Sequence, residues 1–217
     1  MLKMKPLVLA VASALVTLPQ MATAGNNAVI DLTPGQTEVA LPQDGIINGN
    51  SSEYRTGITA IGNGTDLINA TLTGSNASIT VGEYNPDTTG GFTTHGIQAR
   101  QGATITVGTS NKPLSKFEIQ NHGKTTLATG LMAWRGPNGT LADAHININS
   151  DIVDINVSSD DYWAYGLYTY NNTTDKNIAD ADRSSIVINA KDINIDVSTR
   201  LLGLPSASLP GHKQKLS

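Results

Sequence analysis

The 217-residue chain has no cysteine. In an exported protein that excludes a disulfide framework, so stability has to come from stacking and hydrogen bonding. Aromatic residues make up 5% of the chain, too few for a conventional globular core, and charged residues only 15%. Beyond Leu18 no stretch is apolar enough to cross a bilayer as a helix. Positive charge is not in excess either: the formal net charge is −4, which argues against nucleic acid as a partner. The G-x-S-x-G, H-E-x-x-H and P-loop patterns are missing, as is the Gly-Gly-x-Gly-x-Asp nonapeptide of calcium-binding coils. No catalytic residue, cofactor or metal is therefore expected. Asn, Thr, Ser, Gly and Ile dominate instead, a mix suited to stacked strands with polar outer faces and tight turns.

The N-terminus reads as a cleavable signal peptide, residues 1–24. Lys3 and Lys5 form a basic start, Pro6 to Leu18 an apolar run too short to span a bilayer comfortably, and Ala22-Thr23-Ala24 a cleavage site before Gly25. The alternative is an N-terminal membrane anchor, disfavoured because the run is short and ends in Pro19-Gln20. Removing the two lysines leaves 12 Lys and Arg against 18 acids, a net of −6.

The chain beyond is organised around a repeat. Ile146–Ser158, ININSDIVDINVS, and Ile186–Ser198, IVINAKDINIDVS, lie 40 residues apart and agree at six of thirteen positions. In each copy the apolar residues alternate, then change parity: Ile186 and Ile188 against Ile193, Ile195 and Val197. Period-2 alternation marks strands, and the parity change marks a corner that lets both sets face one interior. A Gly-aliphatic pair recurs at Gly57-Ile58, Gly96-Ile97, Gly130-Leu131, Gly166-Leu167 and Gly203-Leu204, at spacings of 39, 34, 36 and 37. The expected fold is all-β, a parallel β-helix (β-solenoid) of repeats of about 36 residues. Two coils per unit are expected, because 36 residues exceed one coil of most β-helices. A β-propeller blade has a similar length, but the units lack four clear strands. Residues 25–55 match no repeat and read as an N-terminal cap; residues 56–202 form the array. Residues 203–217, interrupted by Pro205, Pro210 and Gly211 and basic at His212, Lys213 and Lys215, read as a tail where the array is cut off. Two readings of Asn149 and Asn189 stand: an internal amide ladder at the corner, or turn residues facing solvent.

Five of the ten aromatic residues fall within nine positions: Tyr162, Trp163, Tyr165, Tyr168 and Tyr170. They are the candidate ligand-contact patch, beside Asp160 and Asp161, with Trp134 and Arg135 at a related place one repeat earlier. Rings offer a sugar or a protein large contact area with a polar handle. The competing reading is that alternate rings pack inside or against the next coil. The histidines, His95, His122, His145 and His212, are scattered, and Asp151/Asp154 and Asp160/Asp161 read as solvated acids before they read as a hydrolytic pair. Asp180-Ala181-Asp182 resembles a calcium loop only faintly, and Asn-x-Ser/Thr sites at Asn63, Asn76 and Asn172 carry no weight in so Asn- and Thr-rich a chain.

With its signal segment, lack of cysteine and repeats such as AYGLYTY and SIVINAKDINIDV, the chain resembles the passenger region of bacterial autotransporters and, more loosely, other repeat-built surface adhesins. The resemblance covers about residues 25–202 and lies in composition and rhythm. It implies a right-handed parallel β-helix, export across the inner membrane and display at the outer membrane or cell surface. It also implies a translocator barrel, whose alternating strands the chain does not supply. The expected role is adhesion or a structural stalk, with a host or neighbouring-cell glycan or protein as partner. An extracellular, secreted location is the other expectation, and a periplasmic one if the barrel is truly missing. The alternative is a β-helix enzyme, a lyase or hydrolase acting on surface polysaccharide.

Overall fold

The computed structural model describes residues 29–49, 55–82, 93–123, 127–136, 142–160, 163–170 and 183–199. The signal segment, Tyr162, Asp161, Asn172, Asp180 to Asp182 and the tail beyond residue 199 lie outside them. The chain is all-β and coils into a parallel β-solenoid with three strand-built faces. The first face stacks β1 (Ile30–Leu32), β4 (Thr56–Ile61), β7 (Thr94–Arg100), β10 (Ala128–Trp134) and β12 (Ala164–Tyr170). The second stacks β2 (Glu38–Ala40), β5 (Ile68–Thr73), β8 (Ala103–Val107), the first part of β11 (His145–Ser159) and β13 (Ser185–Asn189). The third stacks β3 (Ile46–Asn48), β6 (Asn76–Gly82), β9 (Leu114–Gly123), the rest of β11 and β14 (Asp192–Thr199). Every pair of named strands is parallel, which separates the fold from a propeller of hairpins.

One expectation is corrected. Ile58, Ile97, Leu131 and Leu167 are successive register partners on the first face, so each repeat unit is one coil and not two. The strands account for the length: one coil uses seven residues in β7, five in β8 and ten in β9, plus their connections. Residues 29–49 contribute a coil in the same register, with Ile30, Val39 and Ile47 against Ile58, Leu72 and Ile79, in strands of only three residues.

The corner read from the repeat is present. β11 pairs with β8 and β13 up to Asn149 and with β9 from Ser150 onward, while Ile146 and Ile148, then Val153, Ile155 and Val157, all point into one core. The core consists of columns running along the axis, such as Ile47–Ile79–Ile119–Ile155–Ile195. Full burial of one such side chain contributes about 1.5–3 kcal/mol. Ordering each backbone residue costs about 1–2 kcal/mol, so a coil with a few inward side chains depends on its neighbours. The gradient along the stack reflects this: Leu131 is fully buried, whereas its partner Leu167 on the last described coil is 38% exposed.

The Gly-aliphatic marker has a steric cause. A Cβ on Gly96 would lie 2.6 Å from Gly130 O and 2.7 Å from Ile119 Cγ2. Gly57, Gly130 and Gly166 are crowded in the same way by Ile79, Ile155 and Ile195. The glycines therefore seat the first face against the isoleucine column of the third. At the opposite corner the amide ladder forms: Asn189 Nδ2 donates to Asn149 Oδ1 at 3.0 Å, and Asn149 Nδ2 donates to Gly108 O at 3.2 Å.

Candidate functional site

Alternation along the first face puts Ile97, Ala99, Leu131 and Ala133 in the core and turns the residues between them away from it, although Thr59, Gln98 and Met132 are themselves buried. Two outer rows result. One runs Thr59–Gln98–Met132–Tyr168, the other Ile61–Arg100–Trp134–Tyr170. The aromatic residues within 163–170 thus lie on the last described coil of a strip that begins below them. The match between Trp134 and this cluster, approximate in sequence, is a direct register pairing with Tyr170.

The rings touch one another. Tyr165 and Tyr168 lie 5.2 Å apart between centroids, Tyr168 and Tyr170 stack at 6.3 Å with planes 14° apart, and Trp134 meets Tyr170 at 6.4 Å. The Arg100 guanidinium lies over the Trp134 ring, 4.1 Å from its centroid. Gln98 Nε2 contacts Met132 Sδ at 3.7 Å. Tyr168 and Tyr170 pack on the coil below, on its outer face. Trp163, 59% exposed, and Tyr170, 44% exposed, remain open to solvent. Burial, then the neighbouring Tyr165 and Tyr170, holds the Tyr168 hydroxyl above its usual pKa, and burial lowers that of Arg100. Arg135 leaves the strip: it is buried and faces Asp143, with Nη1 3.5 Å from Oδ1.

Below Tyr165 in its row come Thr129 and then His95. His95 is buried, with Nδ1 2.7 Å from Thr129 Oγ1 and Nε2 3.0 Å from Thr93 Oγ1. Burial, reinforced by the Arg100 charge, pushes its pKa down to about 3, so it is neutral at physiological pH. Inside the stack, Asn121 occupies a position held by valine in the coils on either side, Val81 and Val157. Its Nδ2 donates to Thr94 O at 3.1 Å and to Thr129 O at 2.8 Å, tying the third face to the first.

The outer side of the third face differs. Lys116 Nζ lies 3.3 Å from Glu118 and 3.2 Å from Asp154, and hydrogen bonding to these two, Asp154 foremost, raises its pKa. Lys191 pairs with Asp151 at 2.8 Å. Asp151, Asp154 and Asp160 are therefore outward acids, each beside a basic group. The sequence reading missed one grouping: His122 Nδ1 lies 2.7 Å from Ser158 Oγ, and His122 Nε2 lies 3.4 Å from Asp160 Oδ2. A cleft of about 320 Å³ adjoins it, lined by Thr80, Gly82, Gln120, His122, Asn156 and Ser158 among others. A serine, an imidazole and a carboxylate in that order can pass a proton from the hydroxyl to the ring. An oxyanion needs free N–H donors nearby, and the strand around Ser158 is paired on both sides, with β9 and β14. Among the described residues no group of three His, Asp, Glu or Cys side chains is placed to hold a metal ion.

Fold and surface together define a parallel β-solenoid with one aromatic and one charged outer face. No family model, no curated protein and no solved structure matches the chain.

Proposed function

We propose that this is an exported β-solenoid, secreted or displayed at the cell surface, that acts as a stalk and adheres through the aromatic strip of its first face. The observation that supports the reading is the strip itself: five or more large side chains in register on the outside of a stiff stack, two of them open to solvent. Such a surface suits the apolar faces of sugar rings, or an aromatic-rich protein patch. The passenger-like signal segment and repeats support export, and a translocator barrel would be the partner that brings the stalk to the surface. Replacing Trp163 and Tyr168 with Ala is expected to abolish retention on a glycan array while the β-type CD spectrum is kept. Unchanged retention would end the adhesive reading of the strip.

The His122 cleft favours a second reading, a hydrolase acting on ester-bearing surface polysaccharide, with Ser158 as nucleophile and His122 as base. Its expected signature is release of acetate from an acetylated glycan that disappears in Ser158→Ala. Equal release by the variant, or none by the native protein, sinks it.

A further inference from the structure

Resting on the reading of the strip as a glycan contact, we infer that its ligand is an acidic sugar, whose carboxylate docks on Arg100 while its ring lies along Trp134 and Tyr170. Lys116, Lys191, His122 and Arg135 each have a carboxylate within 4.0 Å. Arg100 has none among the described residues, and no side-chain hydrogen bond to any of them. A free cation is ordinary when it is solvated, but Arg100 is half-buried and lies flat on Trp134. Guanidinium does not give up its proton to escape this, so the desolvated charge stays without a counter-ion. Burial alone is enough to lower its pKa, and no neighbouring acid offsets the effect.

The stack on Trp134 occupies one face of the guanidinium and leaves its edge, and it is the edge that grips carboxylates through paired N–H donors. Arg100 Nε and Trp134 Nε1 are sealed from solvent without a partner, so the terminal nitrogens are the donors a ligand would reach. Arg100, Trp134 and Tyr170 occupy one row on three successive coils. Two strand spacings, about 10 Å, separate its ends. That length accommodates a carboxylate at one end and a stacked pyranose at the other. The formal net charge of −4 repels a polyanion elsewhere, so selectivity has to come from this row.

The test compares hyaluronan, which carries a uronate in every repeat, with its carboxyl-reduced form, by affinity electrophoresis of the whole protein. The native protein is expected to bind the uronate polymer at least tenfold more tightly. Arg100→Gln should remove that advantage, so that the variant binds the two polymers alike. Arg100→Lys, which keeps the charge but not the fork, should fall between the native protein and Arg100→Gln. Equal binding of the native protein to both polymers overturns the inference, as does an Arg100→Gln variant that still prefers the uronate; in both cases the aromatic strip survives as a glycan site. If neither polymer is bound, the inference fails, and the glycan array with Trp163 and Tyr168 replaced decides separately whether the strip binds any sugar.

Discussion

The first and third faces are built from the same kind of coil, yet their outer surfaces follow opposite rules. On the third face charges answer one another: Glu118 and Asp154 are direct register partners, and Lys116 bridges both. On the first face an arginine lies over an aromatic ring with no carboxylate beside it among the described residues, and a buried histidine on the same strand is held neutral. Neutralised surface charge contributes little to stability and offers little to a partner. A half-buried, uncompensated cation beside exposed rings is an unsatisfied arrangement that a ligand can complete.

The largest expected effect tests whether the first face depends on burial. His95 has a folded-state pKa of about 3 against an ordinary 6.5. The folded state therefore binds fewer protons than the unfolded chain between these values. Stability is fully present above pH 6.5 and is lost as pH falls towards 3, at about 1.4 kcal/mol per unit. Between pH 7 and pH 4 the loss is about 3 kcal/mol. Urea denaturation of the native protein and of His95→Gln at both pH values should differ by that amount in their pH response. An equal response in the two proteins would mean that the histidine protonates without disturbing the face, and the contrast in burial would fall.

Much of the fold was legible because strand period and corner both leave marks on the sequence. Ile146–Ser158 and Ile186–Ser198 are offset by 40 residues, and the same offset is the structural register of β11 with β13 and β14. The recurring Gly-aliphatic pair turned out to be the register line of the first face. The number of coils per unit was not legible, since period-2 patterns locate strands but do not say how much connecting chain lies between them. That error also hid the His122 grouping. With one coil per unit, aligning Phe117-x-Ile119 with Val153-x-Ile155 sets His122 opposite Ser158, whereas 36 residues of sequence separate them. The aromatic cluster was visible as a run of rings. Trp134 was visible too, as an approximate match one repeat earlier, but Arg100 was not, because alternation tells which residues share a face but not what lies one coil below.

The smallest expected effect concerns the third face and sharpens the comparison from its other side. Lys116 sits between two carboxylates that face each other directly across adjacent strands, an arrangement unfavourable for like charges. Lys116→Ala removes the bridge and leaves Glu118 and Asp154 to repel. Because the group is largely solvated, the cost is expected to stay below about 1 kcal/mol. Salt near 1 M shortens the Debye length to about 3 Å and screens that repulsion, so the variant should regain most of its lost melting temperature there. Binding to hyaluronan should be the same for Lys116→Ala as for the native protein, since the Lys116 charge is already paired with Glu118 and Asp154. A salt-insensitive loss, or a loss of polymer binding, would mean that the charged face does more than neutralise itself, and the division of labour between the two surfaces would have to be redrawn.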